Sequence, residues 1–371
     1  MDIIFSLPYL LLYLFFILLA IWDVNNRISL NSLRALECIG FLFFFGLRGY
    51  VLSDASVYYY AFQSEDNLFD WGYGFSFAEY TFEPGFRLLE KIVRAITSEY
   101  LYFQLVYSII DFILLDIIFR KYLKNYALGF VFFAMIEGCM FEINLFRNIK
   151  SILLFIISIQ FIYEKNLKKY VLLNIFGALF HMTALIYIPL YWILNKNFYK
   201  PVILVIIILG VIIPVLNIQW VHLLHLDSII GMRYVNEVTD VTVSYNVGIR
   251  IIERVAICMM ILKYYKQDSN STIKIFYNIY VLYFFMFNIM YEIPIFPSRV
   301  AALFLPSAWF ICPHMMMNKR LLPLKQSFFI VLLYGSILIM STYSKKYAKY
   351  SNMLFGVESF SDYQDRYNSS I

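Results

Sequence analysis

The chain has 371 residues, 61% of them hydrophobic and 15% charged, with 32 Tyr, 37 Phe and a formal net charge of +5. A soluble globule is less apolar and more charged than this, so a soluble fold is excluded and one polytopic membrane domain over residues 1–371 is the natural reading. The basic excess sits mainly in short loops between apolar runs, where membrane orientation accounts for it without a nucleic-acid partner.

A helix needs roughly 20 mostly apolar residues to cross the hydrocarbon. In chain order the runs predict about ten spans: Ile3–Trp22, Leu33–Leu47, Leu101–Phe119, Ala127–Phe141, Asn148–Tyr163, Pro201–Leu216, Val247–Leu262, Ile273–Tyr291, Arg299–Met317 and Gln326–Met340. The first run follows Met1-Asp2 instead of a basic region and lacks a convincing small-residue cleavage site, so it reads as a retained span. Tyr170–Leu194 is different, because lysines flank it on both sides and His181 and Pro189 interrupt it. It predicts two short helices that enter and return, meeting near His181, with the broken backbone lining a cavity. Cys38, Cys139, Cys258 and Cys312 are too far apart in sequence to suggest a zinc or redox pair.

With that one broken segment, the basic loops Arg27/Arg34, Arg120–Lys124, Lys165–Lys169, Lys196–Lys200, Lys263–Lys274 and Lys319–Lys325 all fall on the cytoplasmic side. The other face receives a long loop, Arg48–Glu99, the turn Phe141–Arg147, the loop Asn217–Asn246, the turn Glu292–Arg299 and the C-terminal tail. Only the tail, with Lys345, Lys346 and Lys349, runs against the charge rule.

The outer face carries isolated arginines. Arg48 follows Phe45-Gly46-Leu47 and precedes Asp54 and Tyr58; Arg147 stands three residues before Lys150, so both can share one helical face; Arg299 ends Pro294-Ile295-Phe296-Pro297-Ser298. A guanidinium is a fixed fork of donors suited to phosphate oxygens, so this set suggests an anionic ligand at the membrane surface. The competing account is that each arginine snorkels to the interface or pairs with a nearby acid. Glu83-Pro84-Gly85-Phe86 opens an amphipathic stretch, Arg87–Ile96, and the Pro suits a first helical turn. Asp116 can pair with Arg120 one turn later, and Asp111, inside a predicted span, calls for a basic partner on another helix. His222 and His225 share a helical spacing, but apart from Asp227 nothing nearby completes a metal set. The residues call for no metal and no cofactor.

Gly46-Leu47-Arg48-Gly49 with Asp54 and Tyr58, then Glu83-Pro84-Gly85-Phe86, then Phe146-Arg147-Asn148-Ile149, then Ala178-Leu179-Phe180-His181-Met182-Thr183-Ala184-Leu185, in that order, resembles the EpsG-like polysaccharide polymerases, which are similar to O-antigen polymerases of the Wzy type. The likeness runs from about Gly46 to Thr183 and more loosely to Arg299. Where the family often has Gln and small residues after the matched arginine, Asn148, Ile149 and Lys150 follow here, and Ser53 stands where a Gly often precedes the aspartate.

The resemblance implies a membrane glycosyltransferase at the outer face of a bacterial cytoplasmic membrane, joining oligosaccharide repeat units carried on undecaprenyl pyrophosphate into O-antigen or capsular polymer. It implies pyrophosphate binding by Arg48, Arg147, Arg299 and Lys150, and a general base among His181, Asp54 and Glu83. It also implies substrate contacts from Tyr58, Thr183 and Arg233. Membrane lipid, a chain-length regulator and a flippase are the partners it implies. An O-antigen ligase or a lipid-linked oligosaccharide flippase are the alternatives. A sugar acyltransferase ranks below them because it leaves the arginines without work.

Overall fold

The computed structural model describes residues 3–64, 82–224, 249–266, 268, 271–293, 299–317 and 322–369. The described residues are helical, with no strand among them. The N-terminal half contains α1 (Leu7–Val24), α2 (Leu30–Phe41), α3 (Ala55–Ser64), α4 (Pro84–Arg94), α5 (Tyr100–Tyr122), α6 (Ala127–Met135), α7 (Gly138–Ile143), α8 (Asn148–Tyr163) and α9 (Leu167–Ala178).

Four stretches among the described residues are helical, long and apolar enough to cross a membrane: Ile3–Val24, Tyr100–Tyr122, Thr272–Ile289 and Leu324–Tyr343. The expected count of ten is not confirmed, and two of the shortfalls have visible local causes. The run expected to span Ala127–Phe141 breaks at Glu137, whose backbone turns left-handed at φ 56°, and Gly138 restarts the chain as α7 against the Phe133 carbonyl. Nine residues of α6 rise only about 14 Å, half of a hydrocarbon core. The run expected over Leu33–Leu47 ends its α-helix at Phe41 and continues as a π-helical turn, Leu42–Gly46. Asn148–Tyr163, Lys200–Val215 and Ala301–Met317 are apolar but shorter than a full span.

Contacts divide the chain into two compact units, one of Met1–Ser158, Val171–Ile188 and Pro313–Ile371, the other of Ile159–Tyr170 and Pro189–Cys312. In the first unit α1 packs on α6 through Phe16 and Phe130, whose ring centroids are 5.5 Å apart. At its end Asp23 accepts the Ala127 amide at 3.1 Å, satisfying one donor that a helix start leaves open. Tyr13 donates to the Val331 carbonyl at 2.6 Å, and Gly335 gives the Tyr13 ring room to lie against the helix Leu324–Tyr343. Asp116 gathers Arg34 at 2.7 Å, Arg120 at 2.9 Å and the Tyr126 hydroxyl at 3.0 Å, so the expected Asp116–Arg120 pair is present and one further arginine joins it.

An aromatic core formed by Tyr58, Phe62, Phe86, Phe103, Tyr107 and Phe146 binds α3, α4 and the first turns of α5. The C-terminal segment closes over the chain that follows α2. Gly49 donates to the Ser351 carbonyl at 2.9 Å, Met353 to Leu47 at 2.8 Å and Leu52 to Tyr347 at 3.2 Å. The helix Phe360–Asn368 then stacks Phe360 on Tyr59 at 3.7 Å. Arg366, 8% exposed, pairs with Glu358 and donates to the carbonyls of Lys346 at 2.9 Å and Tyr50 at 3.4 Å. The lysine-bearing tail and the residues after α2 therefore share one side.

In the second unit Asn278 serves as the internal bracket. Its amide donates to the carbonyls of Leu194 and Lys196 at 2.9 and 2.8 Å, and its oxygen accepts the Tyr265 hydroxyl at 2.9 Å.

Removing the guanidinium that ties the tail down tests this arrangement. Arg366→Ala is expected to destabilise the protein by about 2–3 kcal/mol. It should also expose the 345–369 segment to trypsin, read by thermal unfolding and cleavage mapping in detergent.

Candidate functional site

The site grows from the start of α8. Phe146 is fully buried and stacks on Tyr107 with centroids 3.9 Å apart, which fixes the chain just before the helix begins. Arg147 forms an ion pair with Glu83, and its guanidinium carbon lies 4.1 Å from the centroid of Phe82, an arrangement that holds a cation by its face as well as its edge. Arg147 Nε is buried with no hydrogen-bond partner among the described residues, while the side chain as a whole is 20% exposed.

Glu83 owes its place to the proline after it. A residue before proline is pushed to extended backbone, and Glu83 has φ −62° and ψ 148° with Pro84 opening α4, as the sequence predicts. The amides of Gly85 and Phe86 both donate to the Leu179 carbonyl, at 2.8 and 3.3 Å. A Cβ on Gly85 would stand 2.8 Å from that same oxygen, so only glycine permits the approach. Open donors at a helix start thus meet an open acceptor just beyond the end of α9. The second Glu83 oxygen accepts the Met182 amide at 3.1 Å.

The chain breaks where the sequence predicts. His181 is extended, with φ −158° and ψ 125°, between α9 and a 3-10 stretch, Met182–Tyr187. Its Nδ1 accepts the Thr183 amide at 3.2 Å and lies 2.8 Å from the Thr183 hydroxyl. That hydroxyl donates to Asn148 Oδ1 at 2.8 Å. Because a backbone N–H already points at Nδ1, the neutral ring carries its own proton on Nε2.

Tyr58 completes the near side. The Arg147 cation acts on its hydroxyl electrostatically, but burial dominates and pushes its pKa up to about 12, so it meets a ligand as a neutral phenol. Asp54 lies one helical turn earlier, with its carboxylate accepting the Ser53 hydroxyl at 3.0 Å and its amide donating to Asn144 Oδ1 at 3.3 Å.

Arg48 and Lys150 belong to a separate, buried group. Arg48 is 2% exposed and donates to the Phe45 carbonyl, to Ser108 Oγ at 3.3 Å and to the Glu142 carbonyl at 3.4 Å. Lys150 pairs with Asp111 at 2.7 Å, both essentially without exposure, which supplies the interhelical partner expected for Asp111. Ser108 donates to Glu142 Oε1 at 2.8 Å, linking two cations and two carboxylates into one cluster. Phe146 packs against both cations, 5.2 Å from Arg48 and 5.4 Å from Lys150.

Arg147, Glu83, His181, Thr183, Tyr58 and Asp54 therefore come together, whereas the Arg48 and Lys150 donors are committed to interior partners. Arg299 is exposed and lies in the second unit. Arg233, His225 and Asp227 lie outside the described residues. Among the described residues no cluster of three His, Cys, Asp or Glu side chains could hold a metal ion. Sequence reasoning missed Asn148, Asn144, Ser108 and Glu142. Glu142, a carboxylate beside an apolar run and close to Arg147, carried a signal; the others are small polar residues without one.

The EpsG family model matches residues 31–363, a range that includes every residue of the constellation. No curated protein and no solved structure matches the chain.

The buried pair lends itself to a double-mutant cycle. Lys150→Met leaves Asp111 charged in the interior and is expected to destabilise by about 3–5 kcal/mol, whereas Lys150→Met with Asp111→Leu should recover most of that loss. Thermal unfolding of the two single variants and the double variant provides the comparison.

Proposed function

The chain belongs to the EpsG family, which makes it a membrane protein of polysaccharide biosynthesis, and on that premise we propose that it is a glycosyltransferase. In this reading it polymerises oligosaccharide repeat units carried on undecaprenyl pyrophosphate at the outer face of the bacterial cytoplasmic membrane, for O-antigen or capsular polymer. A chain-length regulator and a flippase would work beside it. The observation that carries the proposal is Arg147: it is braced by Glu83 and the Phe82 ring, has a donor left open, and is joined through Asn148 to the polar break at Thr183 and His181.

The reaction has one demanding feature. A hydroxyl on the non-reducing sugar of the incoming unit bonds to the anomeric carbon of the growing chain, the bond from that carbon to the diphosphate breaks, and negative charge develops on the departing diphosphate. Pre-placed positive donors stabilise such charge without reorganising at the moment of reaction. Arg147 takes this role, with Tyr58 and His181 beside it and Thr183 as a further polar contact. The buried Arg48 and Lys150 act by holding Phe146, and with it Arg147, in position.

The proton of the acceptor hydroxyl goes to a carboxylate in this proposal. We assign that role to Asp54, which stands one helical turn before Tyr58 and acts on it electrostatically.

Two experiments test the proposal. Arg147→Ala, with expression verified, is expected to lower polymerisation about 10²–10³-fold and leave mainly single repeat units on the cell surface. Full-length polymer from that variant would overturn the proposal, and long unattached polymer from a deletion strain would mark a ligase instead. Asp54→Asn should abolish chain growth across the pH range, while His181→Gln, which keeps a donor, should retain measurable growth. The reverse order would make His181 the base.

A further inference from the structure

A charged group that the proposed reaction does not use lies in the second unit. Arg254 sits on the helix Ile249–Tyr264 and is 5% exposed. Its Nε donates to the Tyr283 hydroxyl at 2.8 Å, and its guanidinium carbon stands 3.5 Å from the centroid of Phe287, which is close face-on contact. Tyr283 and Phe287 both belong to the stretch Thr272–Ile289, one of the four able to cross a membrane. Phe287 lies within a π-helical turn, Phe285–Ile289, a distortion that re-aims side chains and recurs at functional sites.

Among the described residues this arrangement lacks an anion: no carboxylate pairs with Arg254, and Nη1 is buried with no hydrogen-bond partner. A guanidinium stays protonated in any protein environment, so burial cannot be relieved by losing the charge. Buried charges are paired, and one without a partner in a native structure points to a missing ion or ligand. Among the described residues its one direct bond uses Nε and leaves Nη1 without a partner, on the Nη1–Nη2 edge that grips two oxygens of one oxyanion.

We infer that Arg254, held by Tyr283 and Phe287, is the anchor of a second anion site in this protein, one that takes a phosphate-type oxyanion on both Nη atoms at once. The ligand's phosphate belongs either to a small soluble phosphate or to the headgroup of an anionic membrane lipid, since the same fork recognises both. The site stands independently of the constellation around Arg147, so either one can fail without the other.

Thermal unfolding of the full-length chain in dodecyl maltoside, which carries no phosphate, tests the inference. Inorganic phosphate is titrated against chloride at equal ionic strength, and phosphatidylglycerol is added to the micelles in a separate series. The wild type is expected to gain about 2–4 °C from at least one of the two probes beyond any effect of chloride. Gain from phosphate identifies a soluble group as sufficient, and gain from phosphatidylglycerol alone identifies a headgroup. Arg147→Ala should keep the gain.

Arg254→Met should lose the gain, with the half-effect concentration raised about tenfold or more. Without either probe it should unfold at or above the wild-type temperature, because an apolar stem has replaced an unpaired buried charge. Should the Met variant fail to fold, Arg254→Lys keeps the charge but not the fork, and its gain should be cut in the same direction. A wild type that responds to neither probe more than to chloride, a Met variant that keeps the full gain, or a Lys variant as responsive as the wild type overturns the inference.

Discussion

A charge out of reach of water must have its counter-charge beside it, and the Lys150–Asp111 pair is where this requirement shapes the molecule. Lys150 lies in the first turn of α8 and Asp111 in the middle of α5, so their 2.7 Å contact sets how far one helix is slid along the other. A slip of one turn, about 5.4 Å, would strand both charges in an apolar interior. Phe146 is clamped in the same stroke, packed between Tyr107, Arg48 and Lys150. The residue after it, Arg147, is therefore aimed by the burial of its neighbours before any ligand arrives, which is the kind of preorganisation that electrostatic stabilisation of a leaving group demands.

Peptide groups left over at helix ends provide the second link. The start of α4 has amides without partners, and the chain just past α9 has a carbonyl without one; the contact of Gly85 and Phe86 with Leu179 answers both needs. Glu83 is carried to the same place, where its two oxygens tie the Arg147 guanidinium to the Met182 amide. Three motifs distant in sequence are thus joined, the second to the fourth largely through backbone donors and both to Arg147-Asn148 through side chains.

Several of these features were legible in the residues alone. A carboxylate inside an apolar run implies a basic partner on another helix, and Asp111 has one; Pro84 implies a first helical turn, and α4 begins there; lysines on both flanks of Tyr170–Leu194 imply a broken segment, and the break falls at His181. The inward turn of Arg48 was not legible. Its direction follows from the π-helical turn Leu42–Gly46, which changes the angular position of each residue behind it, and no composition or spacing encodes that turn. The expected ten spans are not confirmed among the described residues, and over Ala127–Phe141 the reason is that hydropathy is blind to the left-handed residue at Glu137. Arg254 was passed over inside an apolar run, since only three-dimensional packing reveals that its Nη1 is buried without a partner among the described residues.

The closure made by the C-terminal segment has a consequence for biogenesis. Tyr363 donates to the Leu52 carbonyl across 311 positions of sequence, and the Leu47 carbonyl and the Gly49 and Leu52 amides find their partners at Met353, Ser351 and Tyr347. A ribosome that has already threaded α1 and α2 must translate most of the remaining message before those partners exist, and closing so distant a contact is slow. Throughout that interval the Leu47 carbonyl and the Gly49 and Leu52 amides lack these C-terminal partners. A nascent chain stalled anywhere before residue 347 carries Arg48 on an unlatched strap.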